Sequence, residues 1–582
     1  MKRRLTLVYL AFTGAHAEMN HWIHAIPLSW MATDFPGKLL AEMAFAALLT
    51  ALLYFLYSRY PALSIRLIER FHVSANRVTP YILAAMLAPL LMRLAVLPWR
   101  PPPEPRIHDE FGHLLVADTL LNGRLANPTH SLWRHLETIY VLQHPTYASI
   151  YPIGQGFILA AGRALTGHPW AGILLATALM CGATSWMLFG CLPPSWAAVG
   201  GLLAAFGLAK GLWLDSYTGG VFCAFGGALL SGALCRLRKS PSNAMGLVAG
   251  LGWSIVWLTR PFESLLVLVL AGGCIAAFMI RAPRLWRTWI GPIVLAVSVQ
   301  IAAGLVTALH NRAVTGSVTT LPYRLSQQVY GVPQSFLWQP AIQEPALRFA
   351  ELRDMYWWQR EAKDHASAHP VRRFGGVLYT AWSFFVTPWY SIPIVLLLLS
   401  RDRHVLVCCG MLACALIAGV LYPFFYPRYI AAYSSLIFFL IMRGIMMLSQ
   451  WSFRGKAVGR LAALFLMLGG LTMGLRMVPL RSILGLGVSA RLAAFREPVS
   501  ERLMGLGGRH VVFVRYGPHH TFYDEWVYNA ADIDAAPIVW CREMGPAGDS
   551  EVTHYYKDRQ PWVADVDRGL VRLSRYQPQG AN

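Results

Sequence analysis

Two adjacent carboxylates, Asp109 and Glu110, stand in the run Arg106-Ile-His-Asp-Glu-Phe-Gly-His113, just after a Pro-rich stretch from Pro98 to Pro105. A carboxylate there can take a proton from a hydroxyl, hold a metal ion or cap a helix. A helix is expected from this run to Leu121, stopped by Asn122-Gly123. Adjacent helical residues point about 100° apart, so at most one of the two acids faces a given substrate atom. The other binds a metal, orients its neighbour or caps the helix. In the purely structural alternative Asp109 is the N-cap and Glu110 a first-turn partner of the helix dipole. Asp109, Glu110 and His113 offer oxygen and nitrogen to a divalent metal, with Glu110 and His113 the candidate ligands, but the set is too small to name the ion. The same loop continues through His130, His135, Glu137, His144-Pro-Thr-Tyr147 and Tyr151-Pro-Ile-Gly-Gln-Gly156. Loops of this length in compact proteins usually carry function.

The elements that must hold these residues are membrane helices. Of 582 residues, 56% are hydrophobic and 14% charged, with mean hydropathy +0.44. Soluble chains carry about 25% charged residues, so lipid is the solvent implied. Twelve apolar stretches fit spanning helices, near 39–57, 80–98, 170–192, 194–213, 217–235, 244–259, 262–280, 289–309, 376–399, 405–421, 429–447 and 461–478. The net charge is +21, yet the tail from residue 480 holds 12 basic and 12 acidic residues, so the excess lies wholly in the membrane part. That placement is a topology signal and a contact for anionic lipid, and it argues against nucleic acid as a partner. Short clusters such as Arg236/Arg238/Lys239, Arg281/Arg284/Arg287 and Arg454/Lys456/Arg460 are expected on the cytoplasmic side. So is Arg59/Arg66/Arg70/Arg77, read as a basic loop. The segments 99–169, 310–375 and 480–582 then fall outside. This parity requires Ile153–Thr166 to be interfacial or re-entrant.

The fold class expected is an all-α polytopic membrane domain over 39–479 with a small α/β domain over 480–582. In that domain His510–Tyr516, Ala536–Arg542 and Trp562–Val566 read as strands, Gly517-Pro518 and Gly545-Pro546 as turns, and Glu525–Ala531 as a helix. Residues 1–38 imitate a secretory signal ending in Ala15-His-Ala17, and fit equally an extra span or an upstream start. The cysteines read as small packing residues with no disulfide framework.

An acidic pair after early spans, a Leu121-Asn-Gly-Arg124 segment and a Tyr151-Pro entry to an apolar helix together resemble the GT-C glycosyltransferases, over roughly residues 80–445. That superfamily includes protein O-mannosyltransferases and the lipid A aminoarabinose transferase. Leu214-Asp-Ser-Tyr-Thr-Gly-Gly220, Thr259-Arg-Pro-Phe-Glu263 and Tyr426-Pro-Arg-Tyr429 fit the same pattern. Many members carry a second proline where this chain has Ile153. The resemblance implies a plasma-membrane enzyme, bacterial in type, that takes a sugar from a polyprenyl-phosphate carrier on the outer face and transfers it with inversion. It implies Asp109 as base, with Glu110 as second carboxylate. Arg428, Arg260 and Arg324 become candidates for the leaving phosphate, since guanidinium binds phosphate bidentately. Tyr429, Glu263, Asp215, Tyr217, Tyr323 and Tyr151 become candidates for substrate contact. The paired Trp357 and Trp358 read first as an interface anchor. Against Arg428 stands simple snorkelling, and against Arg260 a local pair with Glu263.

Two other classes stay in view. A transporter or flippase predicts mid-span charges and repeated broken helices; Arg93 is the clearest in-span charge, and no repeat is evident. A membrane scaffold presenting the tail predicts no consequence of neutralising the acidic pair. The sugar, the acceptor and the oligomeric state lie beyond the sequence.

Overall fold

Apolar runs of membrane length fold as helices because lipid offers no partner to backbone amides, so each segment must satisfy its own. The computed structural model describes residues 35–474, 496–567 and 570–577; the signal-like segment before 35 lies outside these. The described residues divide into two units at the start of the Pro61–Ala75 helix, between Pro61 and Ala62. The first contributes α1, Phe35–Arg59.

The second unit opens with α2 (Pro61–Ala75) and α3 (Val78–Ala95), followed by α4 (His108–Leu121) and α5 (Ile153–Thr166) in the first large loop. Then come α6 (Trp170–Cys191), α7 (Pro194–Leu208), α8 (Gly220–Leu237), α9 (Asn243–Thr259), α10 (Pro261–Arg281) and α11 (Trp286–Thr315). The second loop holds α12 (Pro322–Tyr330) and α13 (Ala350–Ala368). A bent segment, Pro370–Leu399, precedes α14 (Arg403–Val420), α15 (Ser434–Ser449) and α16 (Val458–Thr472). Pro388 and Pro393 lie within the bend and remove amides its ladder would need.

Among the described residues nine helices are long and apolar enough to cross a membrane. The stretches expected near 194–213, 244–259 and 461–478 fold as the shorter apolar helices α7, α9 and α16. Residues 61–75, expected as a basic loop, form α2, where Arg66 and Arg70 alternate with exposed Leu63, Leu67 and Ile68. Charge alone hid its 3.6-residue apolar period. A disulfide, Cys191–Cys235, joins α6 to α8, correcting the expectation of unpaired cysteines.

Close packing carries α4 inward. A Cβ on Gly156 would sit 2.2 Å from Val116 of α4, and one on Gly162 would sit 2.0 Å from Gly172 of α6. Only glycine lets α5 lie this near to both neighbours.

The C-terminal domain is a four-stranded sheet in the order β5-β4-β6-β7, and the short strands β1 (Asn127–Pro128), β2 (Val141–Leu142) and β3 (Thr146–Ser149) belong to the first loop. β4 (His510–Tyr516) pairs in parallel with β5 (Ile538–Arg542) and β6 (Gln560–Asp567), while β7 (Leu570–Arg575) is antiparallel to β6. Strand alternation sends the residues of β4 to two cores. Val511 and Phe513 pack with Leu115 of α4 and with Leu132, Leu136 and Tyr147 of the loop. Val512 and Val514 pack with Val499 and Leu503 of α17 (Arg496–Leu506) and with Trp540 and Trp562. The expected turn at Gly545-Pro546 instead opens helix α18 (Gly545–Tyr555), with Pro546 in its first turn. Proline is tolerated there because that amide needs no partner. The helix expected at Glu525–Ala531 is absent: Glu525 accepts the Val527 amide at 2.9 Å and a short 3₁₀ turn, Phe522–Asp524, precedes it.

Candidate active site

The first turn of α4 separates the two acids. Glu110 turns back along the chain, accepting the amides of Arg106 at 2.8 Å and Ile107 at 3.4 Å with one oxygen. Its other oxygen accepts the Tyr217 amide at 3.0 Å. Burial pushes the Glu110 carboxyl up, and these amides offset part of that rise. Glu110, not Asp109, therefore caps the helix, and Asp109 is left to face elsewhere.

Asp109 faces a cation and a hydroxyl. Tyr151 donates its hydroxyl to Asp109 Oδ1. Arg428 Nη2 approaches the same oxygen at 3.5 Å, and His108 Nε2 lies 3.8 Å from Oδ2. Burial alone would raise the Asp109 carboxyl, but Arg428, His108 and the Tyr151 hydroxyl outweigh it and hold the acid below the usual aspartate range. His113, its ring tilted against that of Tyr151 at 4.2 Å, is pushed down to about 3 by burial with Arg428 and Arg260 nearby, against the pull of Asp109, and so is a neutral imidazole. The buried His108 ring is also held down by burial, against the pull of Asp109.

Aromatic rings enclose this centre. The His108 ring meets Tyr140 edge-on at 4.8 Å, Tyr140 meets Tyr151 at 5.9 Å, and Tyr151 meets Tyr323 at 5.8 Å. Arg428 lies over the Tyr426 ring at 4.5 Å, and Arg260 over the Tyr429 ring at 4.7 Å. Burial raises the hydroxyls of Tyr140, Tyr151, Tyr323 and Tyr422 above the ordinary tyrosine range, so each remains a proton donor. Tyr140 holds φ at 60°, a left-handed conformation costly for a bulky residue, and its hydroxyl accepts from Gln359 at 2.6 Å.

Seven of the residues singled out in the sequence converge here: Asp109, Tyr151, Tyr323, Arg428, Tyr429, Arg260 and Glu263. Arg260 and Glu263 pair at 2.9 Å, as their spacing suggests. Others do not join them. Asp215 takes Arg93 at 2.8 Å and also Arg100, and Arg93 spends its remaining arms on the carbonyls of Arg100 and Pro101. The in-span charge is thus a saturated structural pin. Tyr217 donates its hydroxyl to the Pro103 carbonyl at 2.7 Å. Arg324 is exposed and reaches Gln327 at 3.3 Å. The tryptophan pair divides: Trp357 is exposed, whereas Trp358 turns inward to stack on Phe424 at 4.8 Å. Among the described residues no group of three His, Cys, Asp or Glu side chains is placed to hold a metal. With both Glu110 oxygens engaged, Glu110 and His113 do not fit the expected ligand set. Tyr140, Tyr422 and Tyr523 escaped the sequence reading, His108 was passed over within its run and Trp358 was read as an interface anchor, since loops far apart in the chain bring them together.

No family model and no curated relative matches the chain. Among solved structures it is similar to ArnT from Cupriavidus metallidurans in the apo state, at 12% identity and TM-score 0.47, covering 84% of this chain and 93% of that one. ArnT bound to undecaprenyl phosphate gives 11% identity and the same TM-score and coverage. The Archaeoglobus fulgidus oligosaccharyltransferase tethered to an acceptor peptide gives 10% identity and TM-score 0.43, covering 83% of this chain and 69% of that one.

Proposed function

We propose that the chain is an inverting glycosyltransferase that moves a hexosyl or pentosyl unit from a polyprenyl-phosphate carrier to an acceptor hydroxyl. The reading places residues 39–479 in a plasma membrane of bacterial type, with the loops 99–169 and 310–375 and the domain 480–582 outside. One observation carries it: a largely enclosed carboxylate and guanidinium, Asp109 and Arg428, meet at 3.5 Å inside a wall of protonated tyrosines.

In the reaction the acceptor oxygen forms a bond to the anomeric carbon as the bond from that carbon to the phosphate oxygen breaks. The acceptor proton passes to Asp109, and polyprenyl phosphate leaves with the electron pair. Arg428 and Arg260 receive the phosphate charge, and the tyrosine hydroxyls supply further donors. Asp109 is a weak base while Arg428 attends it. A bound phosphate draws that guanidinium away, and the carboxyl then rises in a site that excludes water. Donor binding thereby readies the base. No step is routed through a metal.

The test is release of free polyprenyl phosphate by the protein in lipid nanodiscs, given a panel of polyprenyl-phosphate sugars and a crude envelope extract. Release by the natural protein and its loss in Asp109→Asn are expected. Absence of release with every donor would shift the case to a transporter or scaffold, and release indifferent to Asp109→Asn would remove Asp109 as base.

A further inference from the structure

The transfer chemistry leaves one part of this centre unused, the Phe522–Tyr523 turn of the C-terminal domain. The Tyr523 ring lies 6.4 Å from the His108 ring at an interplanar angle of 21°, and edge-on to Trp358 at 5.8 Å. Trp358 also meets Phe522 at 5.7 Å. An aromatic arc made from three distant stretches thus stands beside the base, and its outer part belongs to the domain outside the membrane helices.

Among the described residues, two polar atoms on this arc are buried without a partner, the Tyr523 hydroxyl and His108 Nδ1. The His108 side chain is 7% exposed. An unmet buried polar atom costs roughly 1–3 kcal/mol, so two on adjoining rings mark a surface made to be met by something else. Each also senses the reacting centre: Tyr523 the Tyr426 hydroxyl, and His108 both Asp109 and Arg428.

We propose that this arc is the acceptor subsite and that the acceptor is a saccharide. A sugar ring presents C–H faces to aromatic planes and hydroxyls around its rim, which matches flat rings carrying isolated donors and acceptors. An extended peptide would bring a row of amides and carbonyls that needs a strand edge or similar backbone row; the arc offers rings. Tyr523 and His108 hold the sugar so that one hydroxyl points to Asp109. The C-terminal domain is then half of the acceptor site, and exchanging its turn changes which sugar is accepted.

This inference rests on the transfer reading but is tested apart from it, by binding without donor. The full-length protein in nanodiscs is presented with methyl glycosides of common hexoses and pentoses, and separately with a blocked Ser/Thr tripeptide, under saturation-transfer NMR. We expect at least one glycoside and no peptide to receive saturation. Tyr523→Ala should weaken that glycoside about tenfold, and Tyr523→Phe, which keeps the packing, about threefold to tenfold. In assays with donor the same variants should raise the KM for acceptor far more than they lower kcat. Saturation of the peptide alone, of nothing, or of the glycoside equally in natural protein and Tyr523→Phe would overturn the proposal. Glycoside binding without release of polyprenyl phosphate would instead sink the transfer reading and leave the subsite standing.

Discussion

Two arginines, Arg428 in the enclosed centre (15% exposed) and Arg542 at the end of β5 (3% exposed), are used differently. Arg542 donates Nε to the Glu137 carbonyl at 2.7 Å and Nη1 to Glu351 at 2.8 Å, and its third arm goes to Glu525. These partners come from both large loops and the C-terminal domain, so one guanidinium pins all three together. Among the described residues Arg428 meets one carboxylate, at 3.5 Å, and otherwise lies over aromatic faces. A saturated charge holds structure; a charge with capacity to spare is available to a ligand. By this measure Arg93 and Asp215 belong with Arg542, and Asp109 belongs with Arg428.

The contrast can be broken by four measurements. Arg542→Leu strands two carboxylates and should cost about 3–5 kcal/mol of stability, seen as a lower melting temperature and early proteolysis of the C-terminal domain. A loss confined to turnover would erase the distinction. Asp109→Asn should slow polyprenyl phosphate release roughly 10³-fold with little change in melting temperature. Arg428→Gln should cost roughly 10²-fold, with donor KM raised; a large drop in stability without loss of rate would move Arg428 into the structural class. The smallest effect concerns His113. Folded, it stays neutral down to about pH 3, whereas its unfolded form takes a proton near 6.5. The unfolded state therefore binds more protons below 6.5, and stability falls as pH drops. At pH 5 the loss should be about 2 kcal/mol, and His113→Gln should recover it in melts compared at pH 5 and 7.5. Equal acid sensitivity in both proteins would show that the ring is hydrated.

Much of this was legible in the sequence, for identifiable reasons. Hydropathy locates the apolar helices because lipid enforces it, and Asn122-Gly123 marks the end of α4 because a left-handed stop favours glycine, found at φ 69°. The 100° rule says that Asp109 and Glu110 must differ in role, yet not which is which; that depends on the Tyr217 amide, 107 residues away. Tyr426-Pro-Arg-Tyr429 betrays Arg428 through its local pattern. Asp215 and Tyr217 carry an equally suggestive pattern, but their partners Arg93, Arg100 and Pro103 could not be read from it. Tyr140 and Tyr523 have no local signal at all, and the Trp357-Trp358 pair signals an interface anchor, not this centre. Gly545-Pro546 suits a turn and a helix start equally.

Helix α4 also has a far end. Nine residues beyond Asp109, Asp118 accepts the Ala531 amide of the C-terminal domain at 2.7 Å and Arg163 of α5 at 3.0 Å. At 1.5 Å per residue the two aspartates are about 14 Å apart on one stiff rod. The rod carries Asp109 near one tip and is held by the C-terminal domain at the other. If Asp109 is the base proposed above, a shift of that domain would displace it relative to Arg428 through the same helix.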